Sequence, residues 1–159
     1  MNQAEIKESV LKAVEECFRP NEDMTLFAAK QLAKKVEQKA LEMGVNAVIA
    51  ISNKGANPVL VECMDNSYIA SYDIAFNKAY TVVALKMSTK ELAKLAKPDG
   101  SLYGIQFTNN GRIVIFGGGE PLTNKQGQII GGVGISGGSE EQDTNLAKYA
   151  KEIFEKGIN

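Results

Sequence analysis

The sequence predicts an α/β (α+β) domain in which an antiparallel sheet of about five strands is flanked by helices. Three observations carry that expectation. Apolar periodicities alternate between helical and extended in the order α-α-β-β-α-α-β-β-β-α. Short turn signals such as Asn53-Lys54-Gly55-Ala56-Asn57 and Asn109-Asn110-Gly111 join neighbouring extended runs, which favours hairpins over crossovers. No linker or repeat divides the 159 residues, a length suited to one core.

The first helix is expected near residues 3–18. Ile6, Val10, Ala13, Val14, Cys17 and Phe18 form its apolar stripe, and Pro20 ends it. Thr25 reads as the N-cap of a second helix that reaches Met43. Ala29, Leu32, Ala33, Val36, Ala40 and Met43 form its inner face, and Gly44 stops it. Val45–Ser52 is almost wholly apolar, so it should be a strand buried on both faces, and Pro58–Met64 returns beside it. A long helix follows from about Tyr68 to Lys86, with Ile69, Tyr72, Phe76, Ala79, Tyr80 and Val83 expected on its buried side. Ser88 and Glu91 make a capping box for a short helix closed by Pro98-Asp99-Gly100. Leu102–Phe107, Arg112–Phe116 and Gln128–Ser136 read as strands. Ser139 and Gln142 form a second capping box that opens the last helix.

Composition excludes several function classes. Lys plus Arg is 18 against 19 Asp plus Glu, a net charge of −1 with no basic footprint for nucleic acid. No apolar run approaches a membrane span. The polar N-terminus does not read as a signal peptide, so a cytoplasmic location is expected, with no membrane partner. Cys17 and Cys63 have no metal or redox spacing and are expected to be buried packing residues. Histidine is absent, which removes His-based acid–base catalysis, the Ser-His-Asp and Cys-His arrangements, and most zinc and haem ligation.

Nine glycines lie between Gly117 and Gly138. Glycine is costly within a strand, so such density implies a close approach by another element or by a ligand. Alternation along Gln128–Ser136 places Ile130, Gly132, Gly134 and Ser136 on one nearly flat face. That face suits either close helix packing or the floor of a small pocket. Gly137-Gly138-Ser139 leads into a helix N-terminus, where either free N–H groups favour an anion or Ser139 already satisfies those donors and the glycines only shape the turn. Lys78, on the long helix, either holds such an anion or, with a lowered pKa, forms a Schiff base, or else carries its head to water or to a carboxylate. With Gly117, Gly118 and Gly119, these residues are the candidate ligand-binding set. Glu120 is an isolated acid, and no complete catalytic or metal-binding constellation is present.

Three motifs in order carry a family likeness: Ser71-Tyr72-Asp73-Ile74-Ala75-Phe76-Asn77-Lys78-Ala79-Tyr80-Thr81, Gly117–Leu122 and Gly131–Gly138. Met24-Thr25-Leu26, Val48–Ile51 and Met64-Asp65 extend it. The chain resembles the GlcG/HbpS-like family, which also supplies the C-terminal domain of PduO-type proteins. The likeness covers about residues 24–155 and leaves residues 1–20 as an N-terminal helical extension of a single domain. It implies a profilin-like sandwich, a homo-oligomer, and a non-enzymatic small-molecule-binding or accessory protein linked to glycolate, glycerol or propanediol metabolism. The alternative it implies is a haem- or corrinoid-associated binding or sensing protein. Haem-binding relatives often use histidine. Here Tyr68, Met64, Cys63 and Tyr103 are what remains for an iron, and the cofactor stays unassigned.

Overall fold

The computed structural model describes residues 2–17 and 22–157. The elements are α1 (Gln3–Cys17), α2 (Leu26–Glu42), β1 (Val48–Asn53), β2 (Pro58–Cys63), α3 (Ile69–Ala84), α4 (Thr89–Ala96), β3 (Gly119–Thr123), β4 (Ile129–Ser136) and α5 (Glu140–Lys156). One four-stranded sheet has the order β2-β1-β4-β3, antiparallel throughout. The α+β sandwich is therefore as the sequence indicates, with four strands against about five.

The helix starts were legible locally. Thr25 Oγ1 accepts from the Ala28 N–H at 3.2 Å, and Ser88 and Ser139 both close reciprocal capping boxes. Phe18 and Pro20 lie outside the described residues, as do the side chains of Val14 and Cys17.

Three expectations need correction. Leu102–Phe107 and Arg112–Phe116 are not strands. Gly104, Asn109, Asn110 and Gly111 all take positive φ, turning the chain back every few residues, with 3-10 turns at Ile105–Phe107 and Asn109–Gly111. The edge of the sheet is formed instead by β3, inside the glycine-rich segment. Pro121 is tolerated there because an edge strand has one unpaired side. Cys63 is exposed, since it closes the opposite edge strand, β2.

The third correction concerns α3. Ser71, Ala75, Lys78, Ala79 and Val82 face the sheet, whereas Ile69 is 98% and Tyr72 52% exposed. The reason lies in β4. A Cβ on Gly134 would fall on the Ala75 carbonyl oxygen and 2.6 Å from the Ala79 nitrogen. A Cβ on Gly132 would meet Ala79 O at 2.8 Å. With the helix backbone this close, only small side chains fit between, so the flat glycine face is filled by α3. Ile130 leaves that face because the β3–β4 ladder slips between Leu122 and Thr123, and it joins the opposite core.

That opposite core lies between the sheet and the α2–α5 layer. Leu32, Val36, Ile49, Ile51, Leu122, Val133, Ile135, Leu146 and Phe154 fill it, all buried.

Candidate functional site

Lys78 is the largest fully buried side chain, with no exposed surface. Its Nζ donates to the Ile135 carbonyl at 2.6 Å and to Asp143 Oδ2 at 3.2 Å, and lies 5.0 Å from the Phe116 ring centroid. The head therefore does not reach water. Asp143, in the first turn of α5, spends its other oxygen on the Gly138 N–H at 2.9 Å. An anion set against the glycine backbone with Lys78 beside it is thus what the chain itself provides, in the form of the Asp143 carboxylate. Burial lowers the Lys78 pKa and raises that of Asp143, because desolvation penalises both charges. Their mutual attraction and the Gly138 N–H oppose those shifts.

The neighbouring donors are used in the same way. The Gly117 N–H reaches Glu140 Oε1 at 3.0 Å, and the Gly119 N–H reaches Thr89 Oγ1 at 2.9 Å. Glu140 is held below the usual carboxylate range, first by that Gly117 N–H and then by Lys90, 3.4 Å away. The Ser139 N–H donates to Gln142 Oε1 at 2.9 Å. Gly118 has φ +113°, and a Cβ there would lie 2.6 Å from Lys78 Nζ. Lys78 and Gly117–Gly119 accordingly form one buried cluster in which the Lys78, Gly117 and Gly119 donors are met from within the chain.

Gly137, Gly138 and Ser139 have a second side. They line a cleft of about 440 Å³ together with Gly44, Val45, Asn46, Asn66, Tyr68 and Gln142. Its walls are amides, hydroxyls and glycine backbone, with no charged side chain. Tyr68, 72% exposed, lines it, and Ile69 and Tyr72 are exposed just beyond on α3. Sequence reasoning missed Asn46 and Asn66. Asn66 sits in a turn at φ +63° and Asn46 in the short connection before β1, where a polar residue reads as loop chemistry alone.

Glu120 is on β3, buried, and 3.7 Å from Lys151 of α5. Burial raises its pKa. Among the described residues no group of three His, Cys, Asp or Glu side chains is placed to hold a metal, and no helix is long and apolar enough to cross a membrane.

Of the four side chains considered for an iron, only the Tyr68 phenol lines the cleft. Met64 Sδ accepts from the Ala47 N–H at 3.3 Å, while Cys63 and Tyr103 are exposed outside it. The cleft therefore offers an iron one phenol oxygen, from Tyr68.

A four-stranded antiparallel sheet packed between helices, with a buried Lys78–Asp143 pair and an uncharged cleft open outward, defines a small α+β domain. The chain belongs to the HbpS-like family, described as haem-degrading protein HbpS-like, whose pattern matches residues 24–152. It is 47% identical over 131 residues to an uncharacterised 15.0 kDa protein encoded in the dhaT–dhaS intergenic region of Citrobacter freundii, covering 82% of this chain and 92% of that protein. It is 38% identical over 120 residues to the corrinoid adenosyltransferase PduO of the same organism, covering 76% of this chain and 36% of PduO. The chain thus spans about a third of PduO. A solved PduOC–haem complex superposes with a TM-score of 0.78 at 34% identity, covering 82% of this chain and 94% of that one.

Proposed function

We propose that this chain is a binding protein for a tetrapyrrole-class ligand, a haem or a corrinoid, held at the cleft formed by Gly44–Asn46, Asn66–Tyr68 and Gly137–Gln142. The observation that carries the reading is the cleft itself. About 440 Å³ falls within the range of sites for ligands of drug size, larger than a two- or three-carbon acid requires. Its wall is uncharged and, apart from Val45 and the Tyr68 ring, polar, which suits a ring system with polar substituents. The likeness to PduO and to the PduOC–haem complex supports the same class.

In this reading the side-chain amides of Asn46 and Asn66 and the Ser139 hydroxyl would hold the polar periphery, Gly137 and Gly138 shape the wall while their N–H groups stay on Asp143, and Tyr68 would supply an oxygen to the metal. Such a group, when bound, supplies redox or ligand-exchange chemistry at its metal. Lys78, Asp143 and Gly117–Gly119 act indirectly, by fixing the strand-to-helix turn that forms one wall. Self-association accompanies this reading, through the open β2 edge or the exposed apolar surface of α3. Light scattering that returns only a 17 kDa species would remove it.

Titration of the purified protein with haemin and, separately, with cobalamin tests the ligand. Saturable spectral change at one ligand per chain is expected for one of them, weakened at least tenfold in Tyr68→Ala. Non-saturating change that ignores Tyr68→Ala overturns the reading. A second reading, a small diol or hydroxy acid, is favoured by the uncharged hydrogen-bonding wall and by the dhaT–dhaS setting of the relative. Amide shifts at Asn46, Asn66 and Gly138 on adding glycerol, propanediol or glycolate, without tetrapyrrole binding, would select it.

A further inference from the structure

We propose that α1 is a docking helix that seats its apolar stripe in a groove of a different protein, one edged by lysine or arginine. The helix is built to stand by itself. Asn2 Oδ1 accepts from the Ala4 and Glu5 N–H groups at 3.0 and 2.9 Å, and Glu5 Oε2 accepts from the Asn2 N–H at 2.7 Å. This reciprocal cap starts the helix without help from the domain.

Its apolar side chains are left outside. Ile6, Val10 and Leu11 are 45%, 56% and 52% exposed, and α1 takes no part in the helix–sheet packing that unites α2, α3 and α5 among the described residues. The sequence continues the same spacing at Ala13, Val14 and Cys17. A lone helix of 15 residues is marginal in water unless an amphipathic face is buried. The family match begins only at residue 24, and a 131-residue stretch accounts for 92% of the 47% identical relative. The family domain is therefore built without α1, which points its stripe to a separate task.

Charge selects the occupant. α1 carries Glu5, Glu8, Glu15 and Glu16 against Lys7 and Lys12. Two copies of the helix would bring excess acid against acid, and an anionic lipid surface, which favours Lys- and Arg-rich helices, would repel it. An apolar groove with basic edges in another protein satisfies both the stripe and the charge, as in helix-in-groove recognition.

The test places a photo-crosslinking benzoylphenylalanine at position 10 of the full-length protein, in the cells that make it. The product is mapped to the residue, and the purified pair is then titrated with intact protein and with Val10→Asp. The expected result is a crosslink inside a Lys- or Arg-edged apolar groove of a different protein. Binding should weaken as salt rises and fall at least tenfold in Val10→Asp, whose melting temperature stays that of the parent. A crosslink to a second copy, to this chain's own body or to lipid overturns the proposal. So does the lack of any product, or a Val10→Asp variant that binds as tightly. Retention on phosphatidylglycerol vesicles that Val10→Asp abolishes would assign the stripe to a membrane instead.

Discussion

The two faces of the sheet solve the same packing problem in opposite ways. Toward α2 and α5 the contact is made by volume: Leu32, Val36, Ile49, Ile135 and Leu146 interdigitate in an apolar layer. Toward α3 the contact is made by absence: Gly132 and Gly134 remove side chains so that Ala75 and Ala79 can bring helix backbone against strand backbone. The polar groups buried there are paired one by one. Ser52 Oγ donates to Ala79 O at 3.0 Å, Ser136 Oγ to Ser71 Oγ at 2.9 Å, and Lys78 is paired with Asp143. An apolar layer tolerates changes of shape, whereas backbone contact and a buried ion pair tolerate almost none.

The sharpest way to break this comparison is Gly134→Ala. One added methyl meets helix backbone, which cannot rotate aside, so the cost should be roughly 4 kcal/mol or more, or folding should fail. A denaturant melt within 1 kcal/mol of the parent, on the order of the smallest overpacking costs, would sink the close-contact argument.

Lys78→Met comes next. Removing one member of a buried pair should cost about 3–5 kcal/mol, since Asp143 is left charged and without its cation. Lys78→Met with Asp143→Asn should recover part of that loss, because an amide oxygen can still accept from the Gly138 N–H. A double variant no more stable than Lys78→Met would show that the pair is not the source of the effect.

On the opposite face, Leu32→Ala should cost about 2–5 kcal/mol and Leu32→Met less than about 1.5 kcal/mol. That graded response is what separates a volume-packed layer from a backbone-packed one. Equal costs for the two Leu32 variants would erase the distinction.

Smaller effects probe the helix start that joins the two faces. Ser139→Ala should lose about 0.5–2 kcal/mol with its capping box. Glu140→Gln should act through pH. The folded-state pKa of Glu140 lies below its ordinary value, so its contribution is present above the ordinary carboxylate pKa and fades as pH falls through the lower folded value. Melts of the parent and Glu140→Gln should therefore differ at pH 7 and converge in acid. Parallel curves down to the acid limb would show that the Gly117 contact adds nothing.

Caps, the first hairpin and the α2 stripe were legible in the sequence because each depends on residues a few positions apart. Thr25, Ser88 and Ser139 bond to N–H groups within three residues, and β1 is apolar enough to declare its burial. The glycine density between Gly117 and Gly138 announced a close approach, and the family likeness supplied the sandwich. Which face of α3 points inward was not legible from its own apolar pattern. Tyr72 and Ile69 outweigh Ala75 and Ala79 in hydrophobicity, yet only the smaller pair fits against β4. The clue present in the sequence was a match between two distant stripes: small residues at 71, 75 and 79, and glycines at 132 and 134.

The partner of Lys78 lies 65 residues away, and the Gly138 N–H donates to Asp143 from the helix that Gly138 leads into. Local sequence determined where helices begin and which segments are apolar, since those properties depend on hydrogen bonds and periodicities within a few residues. Tertiary structure decided which face is buried, which charges cancel and which donors are met within the chain. Those outcomes depend on the distance between elements, and here that distance is set by the side chains that glycine lacks.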